Sequence, residues 1–412
     1  MKVLVITQYP IFASTSNRML GFACGLAKRG HIVTYLVIGN KYLSNEKKRS
    51  KLPNIIDDVR IKYTISLPDM FIKTPGIISG LFAMILLFIA KLPIVICYAF
   101  RNDVLYSSKP LPYGASISWI ASFISRTPYV LDTDDWEGVG GFATVKQANR
   151  AFIKAAITYF EEKMPLLASS IVTASQLLAD RILLSGVSKE KIWIIPNGAD
   201  LTIFKAAVSG ERIRKENGLS GVVFIYVGTF KMGGANWRML IDAFHYAYNI
   251  EKTIKLLIIG YGDQLADAQR YCQEKELGEN IIFTGKINHN EVPNYIAAAD
   301  VCLLPYQDSF PHTFINIGRS SIKLYEYMAM GKAIIGTNVG EVSAALEHGA
   351  GVLVPSCNDP IAFGKAMVEL IQNPIKINQL GNEARRRTEM YYNYYSLSER
   401  LQLVLMAAIS KR

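Results

Sequence analysis

The chain is poor in cysteine and histidine, and what it has of each is scattered. Its five cysteines, Cys24, Cys97, Cys272, Cys302 and Cys357, lie far apart with no C-x-x-C pair. That spacing excludes a disulfide frame and a cysteine zinc site, and predicts free buried thiols in a reducing compartment. The five histidines show no metal-ligand spacing, and His289 and His348 read as structural residues of a loop and a helix end. Short internal repeats and low-complexity tracts are absent, which excludes a solenoid and a disordered chain. The opening run, MKVLVITQYP, has too short an apolar stretch for a signal peptide and reads as a first strand. Residues 76–90 are almost wholly apolar. As a helix they reach only about 22 Å, against the roughly 30 Å of a bilayer core. Lys91 and Pro93 then interrupt any longer span, so the segment reads as a buried helix or one lying in a membrane interface.

What is present is the material of a globular protein. Half the residues are hydrophobic and 19% charged, and 412 residues suit two domains better than one. The net charge of +11 is unevenly placed: residues 1–200 carry 23 Lys and Arg against 14 Asp and Glu, the remainder 22 against 20. A basic first half points to an anionic partner there: nucleic acid, an acidic membrane surface or a phosphorylated acceptor. No aromatic-basic interleaving and no basic recognition helix accompanies the charge, so nucleic acid is set aside. The cluster Lys47, Lys48, Arg49 and Lys51 reads either as attraction to acidic lipids or as a solvated loop.

Short β-branched runs alternate with amphipathic helical stretches. Strands are predicted at 3–7, 31–38, 103–107, 129–132, 170–174 and 192–195, with a helix over 19–29 that ends at Gly30. After a polar linker at 206–218 the pattern restarts, with strands at 222–227, 255–259, 281–284, 301–304, 333–335 and 351–354 and a helix over 237–248. Such alternation gives parallel sheets covered on both faces. The expected fold class is therefore α/β, with two Rossmann-like doubly wound domains at 1–200 and 201–390. Ligands of such sheets sit outside the carboxyl ends of the strands, so chemistry is expected in a cleft across which the two domains face.

The most informative stretch is 319–331, RSSIKLYEYMAMG. A helix is predicted to start at Ser320 or Ser321 and to stop at Gly331. Its first N–H groups and positive dipole end suit a phosphate. Arg319 and Lys323 add charge at that end, and Glu326, one turn further in, can accept two hydrogen bonds from a ribose diol. Together these groups fit a nucleoside diphosphate. The same residues also admit a plainer account, with a serine capping the helix and Lys323 and Glu326 forming a surface ion pair at i,i+3.

The segment SSIKLYEYMAMGKAIIGTNVGEV resembles the donor-site region of the family-4 glycosyltransferases, which have the GT-B fold. Further stretches resemble that family in order: IIPNGAD at 194–200 with Phe204, VGT at 227–229, LIIGYG at 257–262, FTGK at 283–286, ADV at 299–301 and LP at 304–305. The likeness is strong over about residues 165–375 and weaker before that. It implies a two-domain GT-B enzyme that takes a sugar from a UDP- or GDP-linked donor and retains its anomeric configuration. No cofactor and no metal are expected, with basic groups neutralising the leaving diphosphate. By the same resemblance Glu326 holds the donor ribose, and Lys323 with the helix start at Ser320 and Ser321 holds the diphosphate. Gly228 lets the backbone approach the phosphates, and Gly285 and Lys286 border the base. Residues 391–412 form a helix that packs back on the first domain. Three departures stand out. Gly318 replaces the first acid of the family's E-x7-E pattern. Thr229 and KMGGANW follow Gly228 where relatives carry Arg and Lys, with Lys231 or Arg238 as substitutes. The first-domain Gly-Gly is missing from 12–18.

In the first domain, the loop with Ser16, Asn17 and Arg18 falls at a strand end on the acceptor side. Arg18 there either reaches a phosphate or solvates a helix start. The run LDTDDWEG at 131–138 ends another strand. Four carboxylates in six residues must be solvated, paired or liganded. Asp134 and Asp135 are candidates to bind sugar or acceptor hydroxyls or to act as general base, and also candidates for helix capping. Gly138, Gly140 and Gly141 suggest a mobile loop. The expected activity is transfer to a glycan or lipid-linked acceptor, such as a growing surface polysaccharide. The expected place is the cytoplasm, with peripheral contact at the inner face of the membrane. A nucleotide-sugar epimerase on the same fold and a non-catalytic transferase-like partner subunit are the alternatives.

Overall fold

The computed structural model describes the chain except residues 12, 14–15, 40–51, 65–76, 142, 144–150, 232–235, 307–319, 356–357 and 412, and the side chains of 77–84. It comprises two compact units, Met1–Pro196 with Tyr394–Arg412, and Asn197–Asn393.

The first unit is built on strands β1 (Lys2–Thr7), β2 (Ile32–Val37), β3 (Ile55–Ile56), β4 (Val59–Tyr63), β5 (Val104–Ser108), β6 (Tyr129–Thr133), β7 (Ser170–Thr173) and β8 (Ile192–Ile194). Their order in the sheet is β3-β4-β2-β1-β5-β6-β7-β8, parallel except for the β3–β4 pair. Val3, Leu4, Val5 and Ile6 are all buried, so both faces of β1 are covered and its sequence is a continuous apolar run. The hairpin β3–β4 was not foreseen. It turns on Asp57 and Asp58 at φ 44° and 65°, the left-handed pair that a two-residue hairpin requires.

One face of this sheet is covered by the Asn17–Lys28 helix, which buries Met19, Phe22, Ala23 and Leu26 at helical spacing. The Tyr394–Ser410 helix lies against it. That approach is close: a Cβ on Gly25 would stand 2.6 Å from Ser398 Oγ. The other face carries the helices Ile77–Ala99, Pro112–Ser125 and Ala151–Leu167, which pack in one layer through Val95, Ala99, Ala115, Ala121 and Met164.

The apolar segment differs from expectation. The helix runs unbroken through Lys91 and Pro93 to Ala99. Lys91 is fully buried, and its Nζ donates to the Ile38 carbonyl at 2.7 Å. Burial pushes its pKa down to about 8. The lysine thus ties the helix to the strand ends instead of ending it. Among the described residues, no helix is long and apolar enough to cross a membrane. The thiols also differ: Cys272 and Cys302 are buried, whereas Cys24 is half-buried and Cys97 is exposed on this helix.

The second unit has six described strands, all parallel: β9 (Val223–Val227), β10 (Lys255–Ile259), β11 (Ile281–Gly285), β12 (Val301–Leu304), β13 (Ala333–Thr337) and β14 (Val352–Val354). The order is β11-β10-β9-β12-β13-β14. From β9 the chain steps outward to β10 and β11, then returns to lay β12 on the other side of β9. The switch point therefore falls between β9 and β12, and the space beyond their carboxyl ends is where such sheets take ligands.

Candidate active site

At the switch point the sequence runs from Val227 into Gly228. A Cβ at Gly228 would collide with the Tyr226 hydroxyl and with the Lys323 ammonium, so any larger residue displaces the lysine. Lys323 lies in the first turn of the Ile322–Ala329 helix. That helix docks onto β9 through Tyr327, whose hydroxyl accepts the Val227 N–H at 2.8 Å. Lys323 Nζ stands 3.4 Å from the Tyr226 hydroxyl and 4.8 Å from the centre of its ring.

Ser320 and Ser321 lead into this helix, but neither side chain caps it. The Ser320 hydroxyl accepts the Asn197 N–H at 2.9 Å and is 2.8 Å from the Tyr325 hydroxyl. The Ser321 hydroxyl accepts from Tyr306 at 2.6 Å. Both hydroxyls are thus engaged inside the unit, which removes the plain capping account. What the helix start presents is its backbone N–H groups and its dipole.

Glu326 is 7% exposed, which excludes the surface ion pair with Lys323. Burial pushes its pKa up to about 7, with Lys323 pulling the other way. Its Oε1 lies 3.6 Å from Nε2 of His289, a residue the sequence reading had given a purely structural role. Burial lowers the His289 pKa, Asp200 opposing, so near pH 7 the contact joins a half-protonated acid to a neutral imidazole and is not a salt bridge. Phe204 packs edge-on against the imidazole at 5.5 Å.

Gly285 ends β11 at φ 71°, a conformation that favours glycine. Lys286 beyond it and Lys231 beyond β9 are exposed, their ammonium groups 5.3 and 5.5 Å from the ring centre of Tyr261. Thr229 is exposed next to Gly228. Arg238 stacks on Trp237 and Tyr271 at 5.0 and 4.9 Å, which commits its side chain to packing. Arg319 and Gly318 lie outside the described residues.

In the first unit, the reading of Ser16, Asn17 and Arg18 as an open acceptor-side loop is corrected. Asn17 and Arg18 open a helix, and the Ser16 hydroxyl donates to the Pro10 carbonyl at 2.8 Å. Arg18 is 1% exposed. Its Nε and Nη2 donate to Asp132 at 2.8 and 3.0 Å, and Nη1 and Nη2 to the carbonyls of Pro196 and Ile195 at 2.9 and 2.8 Å. Neither a bound phosphate nor water reaches a guanidinium enclosed this way.

The acidic run is organised around a residue the sequence reading missed. Lys109, just past β5, is buried and holds a strained φ of 55°. Its Nζ meets Asp134 at 3.2 Å, Asp135 at 2.7 Å and Glu137 at 2.6 Å. Burial works to lower the Lys109 pKa, and the three acids overcome it and hold it well above its ordinary value. Burial pushes Asp134 up to about 6, with Lys109 opposing and Asp135 adding. The signal was available: a buried group of carboxylates demands a cation, and the adjacent strand ends in one.

The three glycines of this loop serve close packing, which corrects their reading as a mobile loop. A Cβ on Gly140 or Gly141 would run into Trp136 and one on Gly138 into Glu161. Glu161 accepts the N–H groups of Glu137 and Gly138 at 2.7 and 3.0 Å, and Arg181, 3.1 Å from Glu161, lies flat on Trp136 at 3.6 Å.

Residues 221–373 match the family model of the "Glycosyl transferases group 1". The chain is 21% identical over 216 residues to the GDP-mannose-dependent monoacylated alpha-(1-6)-phosphatidylinositol monomannoside mannosyltransferase of Corynebacterium glutamicum, covering 52% of this chain and 55% of that protein. It is 29% identical over 124 residues to the 2-deoxystreptamine glucosyltransferase of Streptomyces kanamyceticus, covering 29% and 32%. The chain thus spans about half the length, or less, of these curated relatives. Among solved structures, Anabaena HepE in complex with UDP and glucose aligns over 99% of this chain and 100% of its own, at TM-score 0.72 and 16% identity. The sucrose-phosphate synthase of Thermosynechococcus elongatus aligns over 100% of both chains, at TM-score 0.67 and 17% identity. Two parallel-sheet α/β units of this kind are the GT-B fold, as expected from the sequence. The family match lies within the second unit.

Proposed function

We propose that this chain is a retaining glycosyltransferase that moves a sugar from a UDP- or GDP-linked donor to a glycan or lipid-linked acceptor. One observation carries the reading: Gly228, Lys323 and Glu326 converge at the switch point of a unit that matches the group 1 glycosyl transferases. In the transfer, the bond from the anomeric carbon to the diphosphate oxygen breaks and the acceptor oxygen bonds to that carbon. The nucleoside diphosphate leaves with the electron pair, and its freed oxygen takes the proton that the acceptor hydroxyl gives up. Charge gathers on the leaving group, where Lys323 and the dipole of the Ile322–Ala329 helix stabilise it. Glu326 takes the ribose diol, and Gly285 and Lys286 border the base, with Lys231 and Thr229 beside the phosphates. These roles need no metal cofactor. In the first unit, Asp134 and Asp135 are the groups we assign to the acceptor, held in place by Lys109.

The acceptor reading draws on the outer helix layer of the first unit. Ile89, Phe100, Phe123 and Phe152 are 61%, 64%, 74% and 74% exposed there, in the half of the chain with the basic excess. An apolar layer on a basic unit suits contact with an acidic membrane face on the cytoplasmic side.

The test is a thermal-shift panel with UDP, GDP, ADP and their sugar conjugates, followed by a transfer assay. A ligand at 100 times its Kd stabilises by about 2.7 kcal/mol. We expect one nucleotide to shift the melt with or without Mg²⁺, and the product linkage to keep the donor's anomeric configuration by NMR. An epimerised donor released without any acceptor would make the chain an epimerase. No shift with any nucleotide would make it a non-catalytic partner.

A further inference from the structure

Glu326 and His289 are close neighbours that do not bond to each other. Glu326 Oε1 and His289 Nε2 are 3.6 Å apart, beyond hydrogen-bond length. Among the described residues, neither the carboxylate nor the imidazole makes a hydrogen bond. The Glu326 side chain is 9% exposed and that of His289 47%. A carboxylate so deeply buried ordinarily has its oxygens satisfied. Here Oε1 lies next to the imidazole, the half of the pair that reaches solvent. The imidazole is held in place. Its turn, Asn288–Glu291, is closed by the Glu291 N–H on the Asn288 carbonyl at 2.9 Å. The Val292–Ala298 helix follows directly and buries Val292 and Ile296. Phe204 packs edge-on against the ring at 5.5 Å.

We propose that His289 is a specificity-determining residue whose Nε2–H, together with Glu326 Oε1, clamps one ribose hydroxyl of the nucleoside diphosphate. This deepens the donor site proposed above and rests on it. A hydroxyl both donates and accepts, whereas a carboxylate only accepts. Glu326 alone would take the hydroxyl's hydrogen and leave its oxygen without a donor in a site that excludes water. The imidazole supplies that donor. Burial lowers its pKa, with Asp200 opposing, so near neutral pH the ring carries one N–H and one lone pair. An oxygen about 2.8 Å from each atom fits across the gap of 3.6 Å. The second hydroxyl of the diol is left to the other carboxylate oxygen. A sugar that lacks the clamped hydroxyl leaves a buried acceptor and its donor unpaired, which is how a polar site discriminates most strongly.

The test is calorimetric titration of the full chain with UDP and GDP and with their 2′-deoxy and 3′-deoxy analogues. The wild type should bind one of the two deoxy analogues about 10- to 100-fold more weakly than the ribonucleotide. His289→Leu should weaken the ribonucleotide about 3- to 10-fold and leave that analogue's affinity as it was, so the discrimination narrows. His289→Gln, which keeps an N–H, should recover most of the loss. A leucine variant that discriminates like the wild type, or that loses ribonucleotide and analogue in parallel, overturns the clamp and leaves the donor site standing. A wild type that binds neither UDP nor GDP overturns the clamp together with the transferase reading. A second readout needs no leucine variant. In ¹⁵N NMR of the wild type with bound ribonucleotide, the His289 ring, assigned by its loss in His289→Gln, should carry its proton on Nε2. A bare Nε2 in that complex overturns the clamp.

Discussion

Glu326→Gln should make the ligand-free protein more stable and the donor site worse. Glu326 titrates at about 7 in the folded chain against an ordinary 4.5. Below about pH 4.5 the acid is protonated whether the chain is folded or not, and it costs nothing. Between the two values the folded chain keeps a proton that the unfolded chain releases, so stability falls as pH rises. Above 7 the buried carboxylate is charged and the full penalty is present. At about 1.4 kcal/mol per pH unit, the penalty is about 3 kcal/mol. Glutamine keeps the shape and carries no charge, so at pH 8 the variant should gain up to that amount, and near pH 4.5 nothing. A unit of this size shifts its melting temperature by about 2–4 °C per kcal/mol, so the gain is readily measured by calorimetry at both pH values. Nucleotide binding should move the other way. A ribose diol donates to the charged form, so wild-type affinity should tighten as pH rises through 7, and the variant should bind weakly with no such slope. Equal melting of variant and wild type at pH 8, or variant binding with the wild-type pH slope, would refute the assignment.

Gly228→Ala should displace Lys323 and lower nucleoside diphosphate affinity at least about tenfold, by calorimetric titration, because the new Cβ occupies the space of the ammonium and the Tyr226 hydroxyl. Arg18→Met leaves the Asp132 carboxylate and two backbone carbonyls buried without their donor. It should cost about 3–5 kcal/mol in denaturant unfolding of the first unit. Lys109→Met should abolish transfer while donor binding by the second unit persists in titration, since three carboxylates lose their shared cation. Phe100→Ser with Phe123→Ser should reduce sedimentation with acidic phospholipid vesicles, and salt should reduce it further.

The parallel sheets were legible because strands buried on both faces are written as unbroken apolar runs. KVLVIT, VFIYV and KLLII each appear where the sequence places a strand. The β3–β4 hairpin was not, because a two-residue strand leaves no periodicity to read. The Ile77–Ala99 helix was misjudged at Lys91 for a different reason. A lysine in an apolar run looks like an interruption unless the carbonyl that receives it is known, and Ile38 lies 53 residues earlier in the chain. Around the proposed donor site, the residue types of Lys323 and Glu326 could be picked out, but not the tyrosine beside Lys323 or the imidazole beside Glu326. Those contacts join residues about 100 positions apart, in Lys323–Tyr226, and 37 apart, in Glu326–His289. Composition shows such residues only as core aromatics and a loop histidine.

The two units differ in the charge they hold at their strand ends, and the difference bears on which of them holds the donor. In the first unit two buried cations meet carboxylates: Arg18 is bonded to Asp132, and Lys109 to Asp134, Asp135 and Glu137. A cation saturated this way gains little from an arriving phosphate, because the phosphate must first displace an anion already desolvated beside it. The first unit, although it carries the basic excess of the sequence, is therefore a poor phosphate site at the strand ends that hold Arg18 and Lys109. In the second unit Lys323 Nζ stands 3.4 Å from the Tyr226 hydroxyl, and the acid is kept partly protonated by burial. Neither group is neutralised by the other at short range, and a ligand with phosphoryl oxygens for one and hydroxyl donors for the other satisfies both. A nucleoside diphosphate has that distribution of groups. Placing an acid near Lys323, as in Tyr306→Glu, should therefore weaken nucleotide binding although the lysine remains in place.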